Sequence, residues 1–375
     1  MAAWAIHTQA REAQLRGEDV IVLSIGDPDL ETPAPVLARA IDTLRAGDVR
    51  YTPASGRAAL REAIAKTHQR RTGQAVNAEN VIFLSGAQNA LFAASLCVAG
   101  PGDEVLALEP LYPSYPATIR ASGAQLVRVP AAAERGFRPD LGALEAAITA
   151  RTRAIFFATP NNPSGVILNE QDLRVIGDLA RRHALWIVAD EVYAGLAPGG
   201  RVANLATQLP EQVVTISSLS KSHSMPGLRA GWLVGPKELV KHAESLSMCM
   251  LFGLPGFIQE AALTALQGSD APEVRIRALC TARRDMLLQG LAGAHGLRCC
   301  VPDAGMFTLI DVRGTGLSGY DFMSRLYRSE RVSVLDGGAF GEATRGFVRL
   351  CFAADAAILS EAMLRIRRYA GSLAR

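Results

Sequence analysis

Between residues 81 and 235 short apolar runs recur at regular intervals. They are VIFLS (81–85), EVLALE (104–109), QLVRVP (125–130), AIFFAT (154–159), LWIVAD (185–190), VVTISS (213–218) and GWLVG (231–235). Most are apolar throughout rather than alternating, which is the pattern of strands covered on both faces. Segments such as ALREAIAKTHQRR (59–71) and EQDLRVIGDLARRH (170–183) carry helical spacing instead. Alternating strands and helices predict an α/β fold whose large domain holds a mainly parallel seven-stranded sheet. The flanks differ. Residues 255–295 read as mostly helical. MFTLIDV (306–312), a helix near 320–330, VSVL (332–335), FVRLCFA (347–353) and a helix near 355–371 follow. This predicts a small α+β domain from residues 271–375, joined by residues 1–39, beside a large domain over residues 40–270.

Composition narrows the function. The 375 residues suggest two or three domains at roughly 150 residues each. With 49% hydrophobic and 20% charged residues, the chain is not of the disordered class. No apolar run reaches the roughly 18 residues of a membrane span, and MAAWAIHTQAREAQ lacks a secretory pattern, so a cytoplasmic protein without a membrane partner is expected. A net charge of +3 argues against a nucleic-acid partner. The six cysteines show no Cys-x-x-Cys spacing and the histidines no His-Glu-x-x-His, so no metal site is expected. Only residues 66, 221, 237 and 241 are lysine; the other 35 of the 39 basic residues are arginine. Each lysine therefore asks what Arg could not do there.

Ligands of open α/β sheets bind beyond the carboxyl ends of the strands. Gly86, Ala87 and Gln88 follow the first run and open a helix, whose free amides attract phosphate. Tyr112 and Tyr115 follow the second. Asn162 sits in the turn PNNPSG, and Asp190 ends a strongly apolar run, where a charge is costly without a partner. Tyr193 lies three residues on. After VVTISS comes SSLSKSHSMPGLRAGW, with Ser218, Lys221 and, eight residues later, Arg229. Unlike Arg, Lys can lose its proton and attack a carbonyl. Each feature alone is ordinary packing or turn chemistry. Together they describe a flat, phosphorylated aromatic aldehyde with a protonated ring nitrogen, namely pyridoxal phosphate.

The same segments make the chain resemble the class I/II aminotransferases, fold type I pyridoxal-phosphate enzymes. The resemblance is carried in order by SIGDPDLETP (24–33), YTPASGRAALREAIA (51–65), SGAQNAL (85–91), EPLYPSY (109–115), TPNNPSG (159–165), DEVY (190–193), SSLSKSHSMPGLRAGW (217–232), GMFTLIDV (305–312) and GGAFG…FVRLCFA (337–353). It implies that Lys221 is the Schiff-base lysine and proton carrier. It further implies that Asp190 partners the pyridinium, that Tyr193 and Asn162 contact the ring 3-oxygen, and that Tyr112 stacks on the ring. Gly86, Ala87, Gln88, Ser218 and Arg229 fall at phosphate positions, and Tyr51 at one that reaches the phosphate of a neighbouring subunit, which implies a homodimer with shared active sites. Arg349, Gly26 and Asn162 would hold the substrate. His223 and Pro226 depart from the commonest choices after the lysine. LSIGDPD, SLSKSHSMPG, MCMLFGLPGFIQEAA (248–262) and MFTLIDVRGTGLSG (306–319) are similar to the arginine–pyruvate branch, implying transfer of an α-amino group, with L-arginine as the candidate donor, to a keto acid such as pyruvate.

Two other readings stand beside this one. A lyase or decarboxylase can use the same scaffold and cofactor. A nicotinamide-dependent oxidoreductase would use GTGLSG, where Gly314, Gly316 and Gly319 match a dinucleotide fingerprint and Asp336 follows about 20 residues on. Only 39 residues remain after Asp336, too few for the second half of such a domain.

Overall fold

The computed structural model describes residues 2–374. Helix α1 (Ala2–Leu15) and the two-residue strand β1 (Ile21–Val22) come first. Ile6, Ala10 and Ala13 lie on one face of α1 and are buried with Leu23 against Ile276, Phe322, Leu326 and Val348. Helix α2 (Ala34–Arg45) instead buries Val36 and Ala40 with Leu60 and Ile64 of α3 (Ala58–Thr72) and with Ala261 and Ala262 of the helix Gly256–Gln267. Residues 39 and 40, where the domain boundary is expected, both lie within α2.

The expected seven apolar runs form β2 (Val81–Ser85), β3 (Glu104–Leu108), β4 (Gln125–Val129), β5 (Thr152–Ala158), β6 (Trp186–Asp190), β7 (Val213–Ser218) and β8 (Ala230–Val234). They build one sheet in the order β2-β8-β7-β6-β5-β3-β4. Only β8 runs antiparallel to its neighbours. The segment between β7 and β8 carries no crossover helix of the length a parallel return needs, so the chain turns straight back. The inner strands are buried residue after residue, whereas edge strand β4 exposes Gln125 and Arg128. Helix α4 (Gly86–Val98) leaves the end of β2 and packs across the sheet through Ala90, Ala93 and Ala94.

A second sheet holds β9 (Arg298–Cys299), β10 (Phe307–Asp311), β12 (Leu335–Asp336) and β13 (Phe347–Cys351), all antiparallel, in the order β12-β13-β10-β9. The single run VSVL divides at Val334. Its first half, β11 (Val332–Ser333), pairs parallel with β1, and its second half is β12.

The Gly-x-Gly motif sits between β10 and the helix Gly319–Glu330, but β10 belongs to an antiparallel sheet, not a βαβ unit. Its glycines serve packing: a Cβ on Gly319 would lie 2.4 Å from the Phe347 carbonyl oxygen, and one on Gly314 2.8 Å from that of Gly296. Asp336 turns back to accept the Gly338 amide. The nicotinamide reading through Gly314, Gly316 and Gly319 is overturned by this topology.

Candidate active site

A cavity of about 320 Å³ opens beyond the carboxyl ends of the parallel strands, between the two sheets. Asp190 ends β6 and faces it. Tyr115 donates its hydroxyl to Asp190 Oδ2 at 2.6 Å, and the Val192 amide donates to Oδ1 at 3.1 Å. Burial raises the Asp190 carboxyl above the usual carboxylate range, while these two bonds pull it back; no cation contributes. A buried carboxylate without a countercharge is costly. A protonated ring nitrogen would supply that countercharge.

Lys221 lies in the four-residue helix Leu219–Ser222, which Ser218 caps by accepting from the Ser220 amide. Its Nζ donates to the Gly26 carbonyl. Burial lowers the Lys221 ammonium below the ordinary lysine value; Cys351 and Asp27 push it back up, and Arg349 and Arg229 lower it further. The Tyr193 hydroxyl receives a hydrogen bond from Asn162 Nδ2 at 3.3 Å, and burial pushes it far above its ordinary value, so it stays a donor.

The opposite end of the cavity is closed by Arg349, in the middle of β13 and only 1% exposed. Nη2 donates to the Ser24 carbonyl at 2.6 Å and Nη1 to Asn162 Oδ1 at 3.0 Å, while Nε has no partner. The guanidinium lies between two rings, 4.2 Å from the centre of Phe307 and 4.9 Å from that of Phe340. Burial lowers its pKa, and no carboxylate compensates it. A ligand carboxylate would satisfy both the charge and the unused donor. Gly26 faces the same ring so closely that a Cβ there would lie 2.2 Å from Phe307 Cζ.

The phosphate candidates gather at the start of α4. Ala87, Gln88, Ser218 and Arg229 line the cavity. The Gln88 side chain is already used, donating to Thr118 Oγ1 at 2.8 Å and accepting from Ser114 Oγ at 2.5 Å, which leaves its backbone amide for an anion. Gly86 has φ of +77°, and a Cβ there would lie 2.3 Å from Arg229 Nη2. A Cβ on Gly231 would lie 2.4 Å from the Gly86 carbonyl carbon. Both glycines let strand, helix start and guanidinium approach one another. An anion-binding helix start, an unpaired buried carboxylate and an unpaired buried guanidinium, with a lysine between them, fit pyridoxal phosphate with an amino acid.

Tyr112 also lines the cavity, edge-on to Tyr115 at 6.3 Å. Tyr51 does not: it is 86% exposed, beside Phe252 in a separate surface hollow of the same chain. Two contributors, Phe307 and Trp4, are new to the expected set, and Tyr115, expected only as an aromatic at a strand end, has a different role. Tyr115 bonds to Asp190, Phe307 covers Arg349, and Trp4 of α1 lines the cavity. The motif EPLYPSY offered two tyrosines and no means of ranking them; nothing in the sequence tied Trp4 to a site some 200 residues away.

A model of the family described as aminotransferase class I and II matches residues 18–366. The chain is 45% identical over 375 residues to the arginine–pyruvate transaminase of Pseudomonas aeruginosa, covering 99% of this chain and 95% of that one. It is 34% identical over 373 residues to the aspartate/prephenate aminotransferase of Thermus thermophilus, covering 99% and 96%. The solved structure of the Thermus thermophilus aspartate aminotransferase with maleate superposes with a TM-score of 0.93 at 33% identity, covering 98% of this chain and 96% of that one.

Proposed function

The chain belongs to the class I and II aminotransferases, which depend on pyridoxal phosphate, and from that premise we propose that L-arginine is its amino donor and pyruvate its acceptor. The arginine–pyruvate transaminase at 45% identity supports the choice of substrates. The observation that carries the reading is the placing of Lys221 in one cavity between Asp190, an anion without a cation, and Arg349, a cation without an anion.

When bound, pyridoxal phosphate supplies an aldehyde that takes up the amino group and a protonated ring that spreads the charge left at Cα. Asp190, held in place by Tyr115, would keep the proton on the ring nitrogen. Tyr193, fixed by Asn162, would donate to the ring oxygen. Tyr112 would cover the ring face, and the backbone at Gly86, Ala87 and Gln88, with Ser218 and Arg229, would hold the phosphate. Arg349 grips the substrate α-carboxylate beside Gly26. Lys221 Nζ removes the α-proton; its lowered pKa raises the neutral fraction that a base needs. The aromatic rings around Arg349 keep water from the carboxylate. Tyr51, exposed on its own chain, suits a role at the neighbouring subunit's phosphate in a homodimer. We place the protein in the cytoplasm; no helix among the described residues is long and apolar enough to cross a membrane. The division into a large and a small domain, with its second break near residue 270, is part of the same reading.

The test is the absorbance spectrum of the purified protein with pyridoxal phosphate, titrated with L-arginine, then L-alanine, then pyruvate. A visible band bleached best by L-arginine and restored by pyruvate, with a keto acid released, is the expected result. No band would remove Lys221 from its role. Bleaching by L-alanine alone would remove L-arginine as donor. Carbon dioxide release without a keto acid would make the enzyme a decarboxylase.

A further inference from the structure

Gln88 is the third residue of α4 and lines the cavity at the phosphate end. Its side chain is spent on the helix α5 (Tyr115–Arg120) and the residue before it. Nε2 donates to Thr118 Oγ1 at 2.8 Å, and Oε1 accepts from Ser114 Oγ at 2.5 Å. Ser114 and Thr118 stand one helical turn apart and bracket Tyr115, whose hydroxyl donates to Asp190 Oδ2 at 2.6 Å. One amide thus grips, at two points, the helix that carries the partner of Asp190.

Helix α5 needs such a grip. It has six residues, and helices shorter than about 12 residues are marginal by themselves. Ser114 stands at its N-cap, where a serine oxygen ordinarily accepts from an amide of the first turn, but it makes no such bond. Its hydroxyl goes to Gln88 instead. Tyr115 and Ile119 are buried in the same apolar layer as Leu91 and Ala94 of α4. Apolar burial is non-directional, so it holds the helix down without fixing its rotation. The two bonds to Gln88 are directional and fix it. The Tyr115 bond is in turn one of the two that favour the charged form of Asp190 against its burial.

We propose that the Gln88 side chain is a positioning residue for the reaction: through Ser114 and Thr118 it fixes α5, so that Tyr115 holds Asp190 in place for the ring nitrogen. This rests on the reading that Asp190 partners the ring nitrogen. Gln88 then serves both ends of the cofactor, the phosphate with its backbone and the ring nitrogen through three side chains in series.

The experiment compares wild type with Gln88→Met, which keeps the backbone amide and nearly the same length but removes both side-chain bonds. In the holoenzyme kcat should fall about three- to tenfold, the scale of one lost hydrogen bond, with KM changed less than about twofold. In a Tyr115→Phe background the same substitution should cost less than about twofold, because the link it acts through is already gone. Ser114→Ala with Thr118→Val should reproduce the loss with Gln88 intact, which covers a Gln88→Met chain that does not fold. In the cofactor-free chain, Gln88→Met should lose more Tm at pH 8 than at pH 5. Burial already raises the Asp190 carboxyl, a looser Tyr115 raises it further, and a raised carboxyl loses stability as pH climbs above its unfolded value. The neighbouring Glu191 is common to both chains and cancels in the difference. A full loss of kcat in the Tyr115→Phe background, or an equal loss of Tm at both pH values, would overturn the role of Gln88. If Asp190→Asn lowers kcat and Gln88→Met does not, only the role of Gln88 falls. If Asp190→Asn leaves kcat unchanged, the reading of Asp190 falls and Gln88 with it.

Discussion

The seven-stranded sheet and the four-stranded sheet contribute to the same cavity from different places. In the first, Asp190 and Ser218 are the last residues of β6 and β7, and Lys221 comes three residues after β7. In the second, Arg349 stands in the middle of β13, paired across to Leu309 of β10 and Leu335 of β12, between the fully buried Val348 and Leu350. At a strand end a polar group reaches the cavity without breaking the apolar run behind it. In mid-strand it has to be buried, and here two phenylalanines, a carbonyl and an amide enclose it. Alternation sends Val348 and Leu350 to the opposite face from Arg349. The large sheet thus offers its groups at the boundary of the core, and the small sheet inserts one through it.

The contrast can be broken first at Lys221. Lys221→Ala should lower multiple turnover by about 10⁴-fold or more, because it removes the proposed proton carrier while leaving Arg229 and Arg349 in place. Keto-acid release measured against retained cofactor reads this, and appreciable multiple turnover would return the role to another group. Asp190→Asn should come next, lowering kcat by about 10²- to 10³-fold with a smaller change in KM. It also sharpens the comparison, since burial raises the Asp190 pKa in the fold. A carboxyl with a raised folded pKa loses stability as pH rises above its unfolded value. The cofactor-free Asn variant should therefore gain in Tm over wild type, and more at pH 8 than at pH 5. An equal loss of Tm at both pH values would mean that Asp190 is held by compensating bonds instead.

The smallest effect lies one residue further along. Glu191 is buried, and its carboxyl is pushed up to about 8, chiefly by burial, with Arg71 lowering it and Asp190 raising it. Between the unfolded value near 4.5 and the folded value near 8, the folded chain holds a proton that the unfolded chain has released, so stability falls as pH rises. Glu191→Gln should remove this slope, raising Tm at pH 8 and changing it little at pH 5. A parallel Tm profile in the two proteins would show that Glu191 titrates near its ordinary value.

The same contrast explains what could be read from sequence. The seven strands of the large sheet are legible because each is a continuous apolar run, and the strand ends then point to Asp190, Asn162, Ser218 and Lys221. Arg349 is legible only through the family resemblance that FVRLCFA helps to carry. Helix α1 is not, because its buried stripe of Ile6, Ala10 and Ala13 is mostly alanine and gives little contrast between its faces. Strands β1 and β9 have two residues each, too few to show a period. VSVL reads as one strand because nothing in four apolar residues marks the point where the chain changes sheets. GTGLSG misleads because its glycines answer to close backbone contacts, which leave the same trace in sequence as a phosphate loop. The bond from Tyr115 to Asp190 spans 75 residues, and no spacing rule reaches that far.

The bond between Arg349 and Ser24 joins residues 325 positions apart. During synthesis Ser24 leaves the ribosome long before its partner exists. At roughly 5–20 residues per second the wait is about 16–65 s. The large sheet can assemble in that interval from neighbouring segments. The N-terminal segment that carries Trp4, Ser24, Gly26 and Asp27 has to remain undocked, with the apolar face of α1 uncovered, until β11 and β13 emerge. The half of the cavity that the N-terminal segment contributes is therefore the last to form, and its unfinished state is what a nascent-chain chaperone would meet.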